Sequence, residues 1–239
     1  QGREIGFHRI PVGRHPIFVE GIDVNLARFT ASVRLDNPVL QATPGPHERI
    51  ITLVNPWPVA IDGSAIVLEP AERLSNGRST GWDITPRVRR FTAGPGESVE
   101  IPVEIVFSPV EPSGMKPFIV DLALTAGPVL ERVRAASTLE IRLDGIEMDA
   151  RIVEQSEGDA AALEVVVTNT TGDAVDLTIY AAARGYPRQS ASVVQIPNGA
   201  SVVRRFMYPG AAQRLRGQSV FVGVEEADRR GRLNRVIDF

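Results

Sequence analysis

The sequence predicts an all-β protein made of two tandem antiparallel β-sandwiches that follow an N-terminal arm. Glycine and proline occur 21 and 18 times in 239 residues, and they interrupt the chain too often for a long amphipathic helix. Between these breaks lie short runs rich in β-branched residues, several of which alternate apolar and polar side chains. This strand pattern occurs twice, before and after a turn at Asp144 and Gly145.

The first half of the chain contains five runs that read as strands. The clearest spans residues 98–107, where apolar side chains alternate with other residues from 98 to 105. Turn residues bound each run, and the Asp-Gly turn follows the last one. We therefore predict a first sandwich over residues 36–145. Its predicted strands are 50–54, 64–68, 98–107, 118–124 and 139–143.

The second half repeats the same pattern with shorter strands. Asn198 and Gly199 form a strong hairpin signal between two of them, because both residues adopt the left-handed backbone that a tight turn needs. About seven strands in this length is the count expected of an immunoglobulin-like sandwich. We therefore predict a second such sandwich over residues 146–239. Its clearest predicted strands are 163–168, 175–180, 191–196, 201–208, 219–224 and 233–239.

An internal repeat supports the division into two related domains. Asn55, at the end of the first predicted strand, corresponds to Asn169, which lies 114 residues later. Gly96, in a later hairpin, corresponds to Gly199, which lies 103 residues later. The two offsets differ as they would if one loop of the first copy carried an insertion.

Residues 1–35 do not fit inside the first sandwich, and we predict that they form an arm packed on it. Residues 10–13 and 16–21 look like a strand pair, and residues 24–29 read as a short helix or connector. An isolated strand pair is only marginally stable in water, which favours packing against a neighbour. Alternatively, these residues add edge strands to the first sandwich. Because the chain begins at Gln1 rather than methionine, we expect a processed protein or a piece of a larger one, and the strand pair at residues 10–21 resembles the end of an upstream domain in the same polypeptide.

Composition excludes several classes of partner and cofactor. The net charge of -3 argues against nucleic acid, because phosphate binding needs an excess of basic residues. No run of about 18 apolar residues is present, so we predict no membrane span. The absence of cysteine excludes disulfides and thiolate metal sites. We predict no cofactor.

The residues that carry catalysis show no recognisable arrangement. His8, His15 and His47 lack the spacing of metal ligands, so we predict no metal site. No Gly-x-Ser-x-Gly motif is present to hold a nucleophilic serine. The acidic residues at strand ends and turns are typical of solvated carboxylates rather than of a glycosidase pair. We therefore predict that the protein is not an enzyme, and an independent hydrolase is the third-ranked alternative.

Two tryptophans and an arginine cluster are the remaining candidates for binding. Trp57 and Trp82 are candidate ligand-binding residues, because flat rings stack on the apolar faces of sugars. The structural alternative is that Trp82 closes the end of the sandwich. Arg229, Arg230 and Arg232 are candidate partner contacts, since guanidinium groups bind carboxylates. The structural alternative is a solvated turn that discourages aggregation.

Residues 53–56, 81–86, 91–98 and 101–103 carry a family resemblance. They resemble the bacterial immunoglobulin-like domain found next to carbohydrate-binding modules and α-galactosidases. The second half is similar to adhesion-type sandwiches of bacterial surface proteins, and residues 16–21 look like the closing strand of a sandwich that follows a glycoside hydrolase barrel. Residues 69–78 depart from the family pattern as a longer insertion.

The resemblance implies a non-catalytic accessory module that acts as a spacer or positioning element. The expected setting is the C-terminal end of a larger exported bacterial protein, a carbohydrate-active one among the candidates. The expected location is secreted, cell-surface or periplasmic. Expected partners are the upstream domain and, further, a polysaccharide or another surface protein. The main alternative is a carbohydrate-binding module that uses exposed aromatic rings.

Overall fold

The protein folds as two β-sandwiches with a short helix at one end. A computed structural model describes residues 24–70, 81–127, 129–154, 160–227 and 231–238. Among these, a nine-residue helix, α1 (Val24–Ser32), precedes the first sandwich. Its Phe29 is fully buried, and its Ser32 hydroxyl accepts a hydrogen bond from the Val54 N–H at 2.9 Å. The helix therefore covers one end of the first sandwich.

The first sandwich packs a four-stranded sheet on a five-stranded sheet. The four-stranded sheet has the order β1-β3-β7-β5, and the five-stranded sheet has the order β2-β9-β8-β4-β6. The strands are β1 (Arg34–Leu35), β2 (Val39–Gln41), β3 (His47–Val54), β4 (Ile61–Leu68), β5 (Trp82–Thr85), β6 (Val88–Ala93), β7 (Ser98–Phe107), β8 (Gly114–Ala126) and β9 (Val129–Arg142).

The second sandwich packs a three-stranded sheet on a four-stranded sheet. The orders are β10-β11-β14 and β13-β12-β15-β16, and a one-turn helix, α2 (Ala211–Arg214), follows β14. The strands are β10 (Ile146–Glu154), β11 (Ala161–Asn169), β12 (Val175–Ala183), β13 (Gln189–Ile196), β14 (Ser201–Tyr208), β15 (Ser219–Glu226) and β16 (Arg232–Asp238). The all-β class and the tandem immunoglobulin-like sandwiches are confirmed.

The alternation visible in the sequence is the alternation between core and solvent. In β7, Ile101, Val103 and Ile105 are at most 3% exposed, while the intervening residues are exposed or partly so. In β8, every second residue from Lys116 to Ala126 is buried. Burial of one face of each sheet against the other supplies the hydrophobic stabilisation of a sandwich.

A buried asparagine organises one corner of the first sandwich. The Asn55 side chain is 0% exposed, and its Nδ2 donates to the carbonyls of Val59, Ala93 and Gly94 at 2.8 to 3.0 Å. Its Oδ1 accepts the backbone N–H of Trp57 at 2.9 Å. The amide thus satisfies backbone groups from two separate turns that the sheets cannot satisfy.

The second sandwich has the same corner at Asn169, which is also 0% exposed. Its Nδ2 donates to the carbonyls of Asp173 and Ile196 at 2.7 and 2.8 Å, and its Oδ1 accepts the N–H of Thr171 at 2.9 Å. These partners reproduce those of Asn55 at the same sequence offsets of 114 and 103 residues. The internal repeat inferred from sequence is therefore a repeat of structure.

Some predictions about individual elements need correction. β2 pairs with β9 in parallel, so the five-stranded sheet is mixed rather than purely antiparallel. β5 and β6 form strands that were not predicted, and β1 joins the first sandwich from within the predicted arm. Residues 24–29, predicted as a short helix or connector, lie in α1. Residues 1–23 and most of the 69–78 insertion lie outside the described residues, and the domain boundaries stay predictions.

Candidate functional site

Among the described residues, the junction between the sandwiches combines several buried hydrogen bonds with a buried ion pair. Three residues, 143–145, connect β9 to β10, and the carbonyl of Gly145 accepts the N–H of Thr170 at 2.6 Å. Gly231, before β16, lies against the side chain of Leu143, because a Cβ built on it would come within 2.5 Å of Leu143 Cδ1. The connection is thus short and packed on both sides.

Asn234 of β16 binds the loop between β7 and β8 of the other sandwich. Its side chain is 1% exposed, and its Nδ2 donates to the carbonyls of Pro109 and Glu111 at 2.8 and 3.1 Å. Its backbone N–H donates to the Ser113 hydroxyl at 3.0 Å, and its carbonyl accepts the Ser113 N–H at 2.8 Å. One residue therefore makes four hydrogen bonds across the junction.

Tyr180 fixes the orientation of the Asn234 amide. The Tyr180 hydroxyl donates to Asn234 Oδ1 at 2.7 Å, which leaves Nδ2 to donate across the junction. Burial raises the pKa of Tyr180, so its hydroxyl keeps the proton that it donates. The Arg188 guanidinium lies 4.0 Å from the centre of the Tyr180 ring.

The only lysine of the chain forms a buried ion pair beside this contact. Lys116 Nζ lies 3.2 Å from Glu111 Oε1, and the two side chains are 2% and 0% exposed. Among the described residues, neither carboxylate oxygen of Glu111 has a partner with hydrogen-bond geometry. The Lys116 ammonium neutralises the buried carboxylate of Glu111, which lies in the loop that Asn234 binds. Since one buried charge without the other is costly, the loop and β8 are coupled.

Two grooves flank the junction. One, of about 330 Å³, is lined by Thr43, Phe107, Glu111, Glu225 and Arg232 among others. The other, of about 390 Å³, lies on the side where β9 passes into β10. Across its floor the Arg235 guanidinium pairs with Asp149 at 3.0 Å.

Trp82 lies in the core of the first sandwich and is 6% exposed. Its ring centre is 5.4 Å from that of Phe107, which in turn stacks on His47 at 5.2 Å. Burial lowers the pKa of His47, and the nearby Arg49 cation lowers it further. These contacts match the structural alternative for Trp82, whose ring would have to leave the core to stack on a sugar.

Trp57 is half-buried at the end of the first sandwich. Its ring centre lies 5.4 Å from that of Phe29 in α1, at an interplanar angle of 47°. Asn55 holds its backbone, and prolines 56 and 58 flank it. The structure does not bring Trp57 and Trp82 to one common surface, since Trp82 faces the core. The ligand-binding roles of both residues stay predictions.

Arg232 lies in β16 rather than in an exposed turn. Its side chain is 29% exposed and pairs with Glu225 at 2.8 Å, and its N–H donates to the carbonyl of Ala42 at 2.7 Å. The backbone contact adds a fifth hydrogen bond across the junction. Arg229 and Arg230 lie outside the described residues, so the predicted partner cluster stays untested.

Sequence reasoning did not identify the residues that build the junction. Asn234 stands in an apparently regular strand, and Glu111 lies between prolines in a loop. The one available signal was Lys116, a single lysine among 26 basic residues and placed on the core side of an alternating strand. A buried cation requires a buried anionic partner, so the position of Lys116 predicts an acidic partner such as Glu111 in the loop that precedes β8.

The described residues contain no candidate metal site and no candidate membrane-spanning helix. Their histidines and carboxylates form no group of three that could hold a metal ion. None of their helices combines the length and apolar character needed to cross a bilayer. His8 and His15 lie outside the described residues.

The fold and junction define a two-domain immunoglobulin-like β-sandwich protein. No protein-family model and no curated protein matches the sequence. Solved structures similar to this chain include the YadV chaperone, at 14% identity over 87% of this chain and all of that chain, with a TM-score of 0.30. The CupB2 chaperone of Pseudomonas aeruginosa is 13% identical over 85% of this chain and 97% of its own, with a TM-score of 0.29.

A PapD-like domain of human CEP192 is 14% identical over 57% of this chain and 99% of its own, with a TM-score of 0.34. Likenesses at this identity and TM-score carry no argument about what this chain does. The description of the fold therefore rests on its own sheets.

Proposed function

We propose that this chain is a non-catalytic interaction module, whose two sandwiches keep one fixed arrangement and so hold attached domains at a set distance and angle. The observation that carries this proposal is the set of four hydrogen bonds from Asn234 to the loop of the other sandwich. Contacts between domains of one chain ordinarily permit relative motion. A spacer needs a junction that resists it.

The short connection supports the same role. Residues 143–145 leave little free chain between β9 and β10, and the N–H of Arg232 bonds Ala42 on a separate part of the junction. Anchors at separate points oppose both bending and twisting. A flexible tether, by contrast, would be rich in exposed glycine and serine.

Two carboxylates with lowered pKa values lie in surface ion pairs, which supports a non-catalytic role. Hydrogen bonds from Arg151 and Arg205 lower the pKa of Glu164, and hydrogen bonds from Arg134 lower that of Asp121. Both carboxylates lie on the outer faces of sheets, where arginine side chains cover them. Catalytic groups with shifted pKa values instead converge in a cleft. These ion pairs are structural.

The setting of the module is part of the proposal. The resemblance of residues 53–56 and 81–86 to an accessory domain supports a place at the C-terminal end of a larger exported bacterial protein, in which the upstream domain is the first partner. A carbohydrate-active enzyme is the favoured parent. A secreted, cell-surface or periplasmic location follows from that setting.

Spin-label distances test the fixed junction. The chain has no cysteine, so Ser98→Cys and Arg216→Cys place two unique labels on exposed sites in the two sandwiches. We expect Asn234→Ala to broaden the distance distribution measured by double electron–electron resonance, because it removes both side-chain bonds to the loop. Asn198→Ala, at an exposed turn within the second sandwich, is the matched control and leaves the distribution unchanged. An unchanged width in Asn234→Ala contradicts the proposal.

A second candidate function is carbohydrate binding at Trp57. The observation that favours it is the half-buried indole of Trp57, which lies between two prolines and packs against Phe29. These contacts restrict the orientation of the ring, as a ring that stacks on a sugar requires. Pull-down with insoluble polysaccharides is the test, with Trp57→Ala expected to abolish retention. Trp57→Phe, which keeps an aromatic face, should retain part of it. Absence of binding across a broad panel counts against this candidate.

A further inference from the structure

We propose that the outer face of the five-stranded sheet is a homodimer interface, on which two copies of this chain pack face to face around a twofold axis near Ala136. The face belongs to β4, β6, β8 and β9, and its side chains point away from the core. It combines exposed apolar side chains with opposite charges at its two ends. Both features are present on one copy, so the second copy supplies the complement.

Exposed apolar side chains run along the face, two of them one row from its centre and one in the row of Glu140. Met115 on β8, Ile66 on β4 and Val88 on β6 are 63%, 39% and 54% exposed. Ile66 and Val88 are register partners, and Ile119 lies beside Leu68 in the next row. Apolar side chains in adjacent rows form a continuous patch, and such patches mark interaction surfaces.

Charges of opposite sign lie toward the two ends of β9 on this face. Glu140 and Arg132 both lie on β9, eight residues apart, with Ala136 midway between them. Neither has an ion-pair partner among the described residues, whereas Arg134 between them binds Asp121 through two hydrogen bonds of 2.6 and 2.9 Å. The inner charges are therefore neutralised within one copy, and the outer ones are available to a second.

A twofold axis that lies between the sheets and crosses the strands at Ala136 makes these ends complementary. The strands of the two copies then run antiparallel, with β9 over β9. Arg132 of each copy faces Glu140 of the other, which gives two ion pairs by symmetry. The alternative twofold axis runs along the strands. Arg132 and Arg90 both lie in the row of Ser64, so this axis would place Arg132 of one copy opposite Arg90 of the other. Like charges would then meet, which disfavours that arrangement.

The same axis matches large side chains to small ones on β8. The register pairs Met115 with Glu140, Ile119 with Ala136, and Ala123 with Arg132. Met115 of one copy therefore meets the second copy's Ala123, and Ile119 meets its own equivalent near the axis. A long methionine side chain that faces a short alanine side chain gives the shape complementarity that a packed interface needs.

The size of the face predicts a weak dimer. Met115 to Ala123 spans about 27 Å along the strand, and the four strands of the face span about 14 Å across, which gives a plan area of roughly 400 Å². The accessible surface exceeds the plan area because side chains project from the sheet, and it approaches the value of about 800 Å² per partner that is typical of stable interfaces. We expect a dissociation constant on the order of 10 μM.

Sedimentation velocity of the full chain, over a range of about 1 to 300 μM, tests the interface by charge exchange. The wild type is expected to form dimers, and Arg132→Glu and Glu140→Arg each raise the dissociation constant at least tenfold, because like charges then meet at both symmetric contacts. The double variant restores opposite charges and returns to within about threefold of the wild type. Glu100→Arg, on the outer face of the four-stranded sheet, is the matched control and has no effect.

Recovery in the double variant cannot arise from misfolding, since both substitutions are then present in one chain. The proposal is overturned if the wild type stays monomeric at the highest concentration, as it would if residues before Val24 or another partner covered the face. It is equally overturned if either single variant dimerises as well as the wild type. A double variant as weak as the singles also contradicts it.

Discussion

Replacement of Asn169 by alanine is expected to destabilise the protein by about 3 kcal/mol. The substitution removes the donors to the carbonyls of Asp173 and Ile196 and the acceptor for the N–H of Thr171. The site is 0% exposed, so these groups lose their partners without access to bulk water, and each unsatisfied group costs about 1 to 3 kcal/mol. Urea unfolding followed by circular dichroism measures the loss.

Asn198→Ala provides the matched control in the same sandwich. The Asn198 side chain is exposed and accepts one hydrogen bond, from the Gly172 N–H at 3.2 Å, so its loss should cost no more than about 0.5 kcal/mol. The equivalent first-sandwich variant, Asn55→Ala, should be as costly as Asn169→Ala. Tryptophan fluorescence reports it selectively, because Trp57 and Trp82 both belong to the first sandwich. Losses at Asn55 and Asn169 as small as at Asn198 would contradict the corner model.

Gly145→Ala is expected to have an effect of similar size, about 3 kcal/mol, at the connection between the sandwiches. Gly145 has φ of +75°, and a Cβ there would lie 2.6 Å from Thr171 Cα and 2.8 Å from Thr171 N. Backbone atoms cannot move aside as a flexible side chain can, so the clash adds to the strain of positive φ. The midpoint of urea unfolding measures the effect.

Gly217→Ala separates the clash from the strain. Gly217 has nearly the same φ, +69°, but nothing lies within 4 Å of a Cβ built there. It should lose only about 1 kcal/mol, which is the conformational term alone. Equal losses at Gly145 and Gly217 would show that residue 145 is not packed against the second sandwich.

Alternation and turn residues were sufficient to predict the two sandwiches. The alternating run at 98–107 forms β7, and the Asn-Gly turn at 198–199 separates β13 from β14 as expected. Both signals are local, because the pleat and the turn depend on residues close in sequence. β5 was missed because it has only four residues and a proline follows it, and β6 was missed because two arginines interrupt its apolar residues. The parallel pairing of β2 with β9 joins strands about 100 residues apart, which no local pattern encodes.

The repeat predicted from Asn55 and Asn169 had a physical basis that the sequence did not display. The two residues recur because each satisfies backbone groups of two turns at once, a role visible only when distant turns come together. The junction was not predicted for the same reason. Asn234 acts on Pro109 and Glu111 from more than 120 residues away, and an asparagine within a strand gives no sign of it.

The fixed arrangement of the two sandwiches is tested most directly by the spin-label distance between residues 98 and 216 in the otherwise unaltered chain. We expect a single narrow peak in the distance distribution, no wider than the rotamers of the labels themselves produce. A broad distribution, or two resolved distances, would contradict it, because the bonds from Asn234 would then fail to fix the angle between the sandwiches.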